Sequence, residues 1–278
     1  MSYRNFKPTV WEVAIEEELK RNHIFVADTN QKYEGKVSKA GDSVRILGVG
    51  KPTITTTIGD EDIILEKPEN IEDTSVTLKI DHRSTFNFLV DDIDKAQASG
   101  EIESALKGES SEGLANEQDI AVSALSNDPL VKKLASSAFT LSTDNILNVF
   151  DKALEALYEN DVAQNTEIVF CISPWIYTIF KQAYIKADTD NSAMLKNGMV
   201  AKYGNATIKM SNNCAKDSKG NTLVQVKTKR AIGFAAPLTH VEPYRPDERF
   251  ADALKGFVLY GTKIVRPKEM LVIPCTHA

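Results

Sequence analysis

Ile168-Val-Phe-Cys-Ile-Ser-Pro-Trp-Ile-Tyr-Thr-Ile-Phe180 is the stretch that decides the fold class. Five consecutive apolar residues, Ile168 to Ile172, leave no polar position for a wet face, so they read as a strand in a sheet covered on both sides. Ser173-Pro174 reads as a helix N-cap followed by proline at the first helical position, where its missing N–H does no harm. Trp175, Ile176, Ile179, Phe180 and Ala183 then recur with helical spacing. Upstream, a helix starting at Thr143 or Asp144 carries Ile146, Phe150, Ala153, Leu154 and Leu157 on one face. A buried strand flanked by two amphipathic helices predicts a compact α/β unit.

Outward from that unit the pattern changes. Toward the C-terminus, Asp188 to Gly198 is polar and reads as a loop, and strands follow at Ala206–Met210, Leu223–Lys227, Ala231–Phe234, Leu254–Val265 and Met270–Ile273. Toward the N-terminus, Asp91 and Asp92 are placed to cap a helix and suit its dipole. Ile93, Ile102, Leu106, Leu114, Ile120 and Ala124 give that helix a stripe to about Leu125. Run straight through, its 33 or so residues span roughly 50 Å. Gly108 and Gly113 weaken its middle, so a kinked or two-part helix is predicted. Before it, Val76, Leu78 and Ile80 alternate with polar residues, as do Phe86, Phe88 and Val90, the period of half-buried strands. Val44 to Leu65 is rich in Thr and Gly with few large apolar residues; it reads as a long hairpin with little core of its own. Thr9 and Glu12 form a capping box for a helix from near Val10 to Lys20, with Trp11, Ile15 and Leu19 on one face.

Composition excludes several functions. The net charge is −6, and no basic run exceeds Lys227-Thr-Lys-Arg230, so specific nucleic-acid recognition is not expected. Cys171, Cys214 and Cys275 are widely spaced and odd in number, which argues against a disulfide framework or a zinc site. The N-terminus lacks the apolar core of a signal peptide, and no stretch approaches the ~18 apolar residues of a membrane span. A product made and matured in cytosol is expected.

Candidate chemistry is equally sparse. Cys171 lies inside an apolar strand, where a thiol is simply a small hydrophobe. His23, His82, His240 and His277 show no ligand spacing. Asp91, Asp92 and Asp94 read as a helix N-terminus. Gly48-Val-Gly50-Lys51 has neither phosphate-loop pattern nor a following helix, and Ser173 precedes proline rather than sitting in a nucleophile elbow. No catalytic residue, cofactor or metal is expected.

With enzymes demoted, the order of elements becomes the signal. Phe6-Lys-Pro-Thr-Val-Trp11, Tyr33-Glu-Gly35, Gly41-Asp-Ser-Val44 and Phe86-Asn-Phe-Leu-Val-Asp-Asp-Ile-Asp-Lys-Ala-Gln97 run in that order along the first half. Ala231-Ile-Gly-Phe-Ala235, Glu242-Pro-Tyr-Arg-Pro246, Phe250-Ala-Asp252 and Lys255-Gly-Phe-Val-Leu-Tyr-Gly-Thr-Lys-Ile-Val-Arg-Pro267 follow near the end. Together they resemble the major capsid proteins of tailed bacteriophages, whose fold is shared with encapsulin shells. The resemblance implies an α+β fold with an N-terminal arm (1–32), an extended β-hairpin or E-loop (33–80), a peripheral domain with a long spine helix (81–128 and 241–278), and an axial α/β domain (129–240). It implies a non-enzymatic protein that assembles into an icosahedral capsid around double-stranded DNA, as pentamers and hexamers of itself. The implied partners are a portal protein and DNA contacted non-specifically, with no membrane. The virion is the implied location, after assembly in the bacterial cytoplasm. No long segment precedes the arm, so a separate scaffolding protein is expected. No motif supports the Lys–Asn cross-link of some relatives. An encapsulin-like nanocompartment, or less so a mixed α/β enzyme, is the alternative.

Two sets of residues carry the expected mechanism. A two-stranded ribbon with a thin core is marginal in water, so the hairpin needs a neighbour: Ile54, Ile58, Ile63 and Ile64, with Trp11 and Ile15 of the first helix, are the expected subunit contacts. Gly108 and Gly113 are the expected hinge during shell maturation.

Overall fold

In the computed structural model the described residues are 23–32, 43–49, 73–91, 101–186, 202–247 and 251–277. Ile168–Ile172 (β6) is buried at every position, as its composition predicts. It lies in the middle of a seven-stranded mixed sheet of order β4-β12-β9-β6-β8-β7, with β5 also pairing β12. The other members are Lys132–Lys133 (β4), Phe139–Thr140 (β5), Lys202–Tyr203 (β7), Ala206–Met210 (β8), Thr222–Thr228 (β9) and Met270–Thr276 (β12). β6 runs parallel to β8 and antiparallel to β9.

Two helices cover one face of this sheet, Ile146–Tyr158 (α2) and Pro174–Lys186 (α3). The Phe150 ring stacks between Phe170 at 4.8 Å and Phe180 at 5.2 Å, and all three are fully buried. Burial of a phenylalanine contributes roughly 1.5–3 kcal/mol, so this triplet is a main fastening of the unit. Both helix starts differ in detail from expectation. α2 begins at Ile146 because Asn145 turns its amide backward: it donates to the Thr140 carbonyl (2.8 Å) and accepts from the Ser142 N–H (2.9 Å). At α3 the Ser173 carbonyl accepts the Tyr177 N–H, but the buried Ser173 hydroxyl has no hydrogen-bond partner, so it is not a side-chain cap.

A second, three-stranded antiparallel sheet has the order β10-β11-β3, built from Ile232–Tyr244 (β10), Ala251–Ile264 (β11) and His82–Asp91 (β3). The register of β10 against β11 slips between Ala235 and Leu238. Pro237 lies in that interval and cannot donate to the ladder, which is where a bulge is tolerated. The expected switch to helix at Asp91 is corrected: Asp91 is still in β3, paired with Ala251. The helix described, Glu101–Ala124 (α1), is 24 residues long and runs unbroken through Gly108 and Gly113.

The stripe of α1 is also corrected. Leu114 is buried as expected, but from residue 108 onward Ser111, Ala115, Gln118, Asp119, Val122 and Ser123 are the other buried positions, while Ile120 is 45% exposed; the side chains of Ile102 and Leu106 lie outside the described ones. Half of this face is polar, so a hydrophobicity pattern misplaces it. Leu114 and Ala115 pack on Val241, Leu254 and Val258 of the three-stranded sheet, with Phe86 and Phe88 beside them.

Sheet membership departs from the grouping of residues 241–278 with the spine helix. Met270–Thr276 pairs with β9 and joins the seven-stranded sheet, because its six fully buried residues need covering on both faces. Conversely β10 begins at Ile232 in the three-stranded sheet, inside the range expected for the axial unit. Among the described residues, no helix is long and apolar enough to cross a membrane.

Candidate subunit interface

Ser43–Val49 (β1) and Asp73–Lys79 (β2) form a two-stranded antiparallel ribbon, in register from Ser43↔Lys79 to Val49↔Asp73. Its period-two pattern sorts the side chains. Val44, Ile46 and Leu78 are buried, whereas Ser43, Arg45, Ser75, Thr77 and Lys79 face out. The buried set, with Ile80, packs on Ala235 and Leu259 at one end of the three-stranded sheet. This seat is close: a Cβ at Gly261 would lie 2.1 Å from the Lys79 carbonyl oxygen. Glycine is therefore required where β2 crosses β11. The return strand of the ribbon is Asp73–Lys79, later in the chain than the hairpin read at 44–65. Its root rests on its own subunit, and residues 50–72 lie outside the described residues.

Beyond this seat the same face of the three-stranded sheet is open. Thr85, Asn87, His240, Glu242, Lys255 and Phe257 line a concavity of about 410 Å³ together with Phe86 and Gly256. Its polar groups are organised. Lys255 pairs with Glu242 at 3.2 Å and lies over the Tyr244 ring at 5.1 Å, and the Tyr244 hydroxyl donates to Asn87 Oδ1 at 3.1 Å. Leu89, 40% exposed, lies on β3 two residues beyond Asn87.

A third arrangement joins the two sheets. Residues 23–30 form a strap across α1 and the second face of the seven-stranded sheet. The carboxylate of buried Asp119 accepts the backbone N–H groups of Ile24 (2.8 Å), Phe25 (3.1 Å) and Val26 (3.0 Å). The fully buried Lys227 ammonium donates to the Phe25 carbonyl at 2.9 Å. Asp28 pairs with Lys209 of β8 at 2.6 Å, and His23 bonds Gln118 at 2.7 Å. Burial draws the Lys227 pKa below the usual lysine range, against the opposing pull of Cys171, Asp28 and Asp119. Burial likewise lowers His23, opposed by Asp119 and Gln118.

Burial pushes the thiols of Cys171, Cys214 and Cys275 up to about 12, far from a reactive thiolate. Among the described residues no three His, Cys, Asp or Glu side chains are grouped to hold a metal. The expected contacts Trp11, Ile15, Ile54, Ile58, Ile63 and Ile64 all lie outside the described residues. Gly108 and Gly113 lie on α1, with open space where a Cβ at Gly113 would project. The strap network is absent from the sequence reading. Its only signals were a lysine ending the strand Leu223–Lys227 and an aspartate on a helix face.

No family model and no curated protein matches the chain. Solved structures do. A chain from Mycobacterium phage Che8 is similar at a TM-score of 0.73 and 26% identity, over 90% of each chain. The capsid structure of the cyanophage P-SCSP1u is similar at 0.67 and 16%, over 90% of this chain and 86% of that one. A virus-like particle from Pyrococcus furiosus is similar at 0.60 and 12%, over 95% and 98%. These likenesses run over nearly the whole chain, and the chain has the major capsid protein fold of phages.

Proposed function

We propose that this chain is a capsid subunit, whose activity is to tile copies of itself into a closed icosahedral shell around double-stranded DNA. The observation that carries this reading is the correspondence over 90% of both chain lengths to the Che8 phage chain. The role is structural rather than catalytic, and the virion is its location. Head-to-tail contacts between copies close into rings, here of five and six subunits. Residues 33–80 are the hairpin that reaches a neighbour, with Ile54, Ile58, Ile63 and Ile64 as its contacts. Residues 1–32 are an arm docking through Trp11 and Ile15. α1 with the three-stranded sheet forms the peripheral unit, and the seven-stranded sheet with α2 and α3 forms the axial unit. A separate scaffolding protein and a portal complete the assembly in the host cytoplasm, and α1 flexes at Gly108 and Gly113 as the shell matures.

Electron microscopy of the purified chain, with and without its scaffold, tests the reading. Megadalton shells are expected; a protein that stays monomeric under both conditions overturns it. Deleting Ile54 to Asp62 is expected to leave a folded subunit that does not assemble. Normal shells from that deletion refute the role of the hairpin. The double change Gly108→Ala and Gly113→Ala stiffens α1 by about 1 kcal/mol per site and should impede expansion. Unaltered maturation excludes the hinge.

A second reading has one observation of its own, the likeness to the Pyrococcus furiosus particle over 95% of this chain. Under it the shell is an encapsulin-like compartment enclosing protein. Particles that copurify with an enzyme and carry no nuclease-protected DNA would favour it.

A further inference from the structure

The strap at residues 23–30 is held in a way unlike any other segment of the described chain. Its backbone joins a ladder only at Asn30, whose N–H donates to the Ile232 carbonyl and whose carbonyl accepts the Phe234 N–H. Before that point, three consecutive amides end on the single carboxylate of Asp119, and the Phe25 carbonyl ends on the single ammonium of Lys227. Val26 O is satisfied within the strap, by the backbone N–H and the hydroxyl of Thr29. The strap is thus held by charged side chains that belong to three other elements, α1, β9 and β8.

The body beneath also has ties of its own. α1 keeps independent ties to the seven-stranded sheet unit: Ser123 Oγ accepts the Ala215 N–H at 2.7 Å, and Gln225 donates to the Val122 carbonyl and to Ser126 Oγ. β9 keeps both ladder neighbours, β12 and β6. Lifting the strap does uncover Phe25 and Val26. It also returns Asp119, Lys227, Asp28 and Lys209 to water, which offsets much of the hydrogen bonding lost; a purely apolar cover has no such offset.

We propose that residues 23–29 are a releasable strap, a segment that leaves the body as a unit while α1 and both sheets stay folded. Its seat is set by Asp119 of α1 and Lys227 of β9. Because the strap carries the covalent connection to the first 22 residues, occupancy of its seat on Asp119 and Lys227 is linked to whatever those residues contact. This inference stands whether or not the chain builds a shell.

The cysteines provide the test. Cys171 lies on the face the strap covers, in the cluster that includes Phe25 and Val26, whereas Cys275 lies in the cluster of the opposite face. The full-length unassembled chain is pulsed with a thiol reagent across low denaturant concentrations, and each cysteine peptide is quantified by mass spectrometry. Strap release exposes little surface, so labelling of Cys171 should be nearly independent of denaturant, while Cys275 should follow the steep dependence of global unfolding. Lys227→Met removes the charged donor and keeps the bulk. It should accelerate Cys171 labelling roughly tenfold, the factor expected from one lost hydrogen bond to a charged group, and leave Cys275 unchanged. Should that variant fail to fold, Asp119→Asn and the wild-type denaturant series still decide. Equal rates and equal denaturant dependence at the two thiols overturn the proposal. So does a Cys171 rate that neither substitution alters.

Discussion

The two faces of the seven-stranded sheet are fastened by different physics. On one, α2 and α3 press Phe150, Leu157, Ile176 and Phe180 against Phe170 of β6 and against β8, β9 and β12, and every one of these side chains is fully buried. On the other, the strap and α1 meet the same strands through a second apolar cluster that includes Phe25, Val26, Val122, Val169 and Val272, and set among it are Lys227, Gln225, Asp119, Gln118 and Ser126, all buried and all polar. One strand serves both. Val224 and Val226 point into the first cluster, and Leu223, Gln225 and Lys227 point the other way. The apolar face is tolerant of small shifts, because dispersion and desolvation have no preferred direction. The polar face is not: each bond there has a geometry, and a buried group left without its partner costs more than the bond is worth. Both faces gain stability from apolar burial; the second adds a set of directional bonds that fixes the placement of the strap and the long helix.

Substitutions at matched depth should break the two faces differently. The largest expected effect is Phe150→Ala, which removes the middle ring of the stacked triplet and leaves a cavity, at about 3–5 kcal/mol. Chemical denaturation of the unassembled subunit should show it as a fall in midpoint with an unchanged slope. Asp119→Ala should rank next, at about 2–4 kcal/mol, because three amides and the nearby buried lysine lose their anion together. Its signature is local. Hydrogen exchange should speed up at Ile24, Phe25 and Val26 while β6 keeps its protection. A uniform loss of protection after Asp119→Ala would erase the distinction between the faces. Gln225→Leu sharpens it from the other side. Its Nε2 donates to the Val122 carbonyl and to Ser126 Oγ while its Oε1 is without a partner, so leucine strands two acceptors but relieves a buried oxygen, at about 1–2 kcal/mol. A midpoint shift as large as that of Phe150→Ala would mean that the amide carries the interface.

The same contrast explains what could be read in the sequence. Ile168–Ile172, the stripe of α2 and the alternation of Phe86 and Phe88 all report the hydrophobic effect, which writes itself into local periodicity. The order of elements followed from them and carried the resemblance. The second face left no such trace. Ser111, Gln118, Asp119 and Ser123 break the apolar period of α1, so periodicity points Ile120 and Ala124 inward, whereas both face out. The partners of Gln118, Asp119 and Ser123 are some 90 or more residues away: Asp119 meets Ile24 across 95 residues of chain, and on the sheet side Gln225 meets Val122 across 103. No window along the chain contains both ends of such a bond. The end of β3 was misread for a related reason, since Asp91 is held in a strand by Ala251 rather than by its neighbours. The expected contact residues fall at 11–15 and 54–64, outside the described residues, so the shell interface rests on the sequence reading there.

The smallest expected effect comes at the rim, where β9 meets solvent and a polar network is no longer sealed. Glu269 accepts bonds from the Thr228 hydroxyl and from Arg266 (2.9 Å), and lies 3.3 Å from Arg230. It joins the turn after β9 to the turn before β12. Burial works to raise its pKa, but the Thr228 hydroxyl, the Arg266 bond and the charges of Arg230 and Arg266 outweigh it and hold the carboxyl below its ordinary range. A carboxyl depressed in the folded state adds stability above its unfolded pKa and loses it as pH falls through the folded one. The contribution is therefore intact at pH 6 and disappears on the acid side of the usual glutamate range. Both guanidinium partners are about half exposed, at 51% and 53%, which limits the effect to about 0.5–1 kcal/mol. Thermal unfolding of the wild type and of Glu269→Gln at pH 6 and pH 3 measures it. The two should differ at pH 6 and converge at pH 3. A gap that persists in acid would show that Glu269 acts through shape rather than charge, and that the rim obeys the same rules as the sealed polar face.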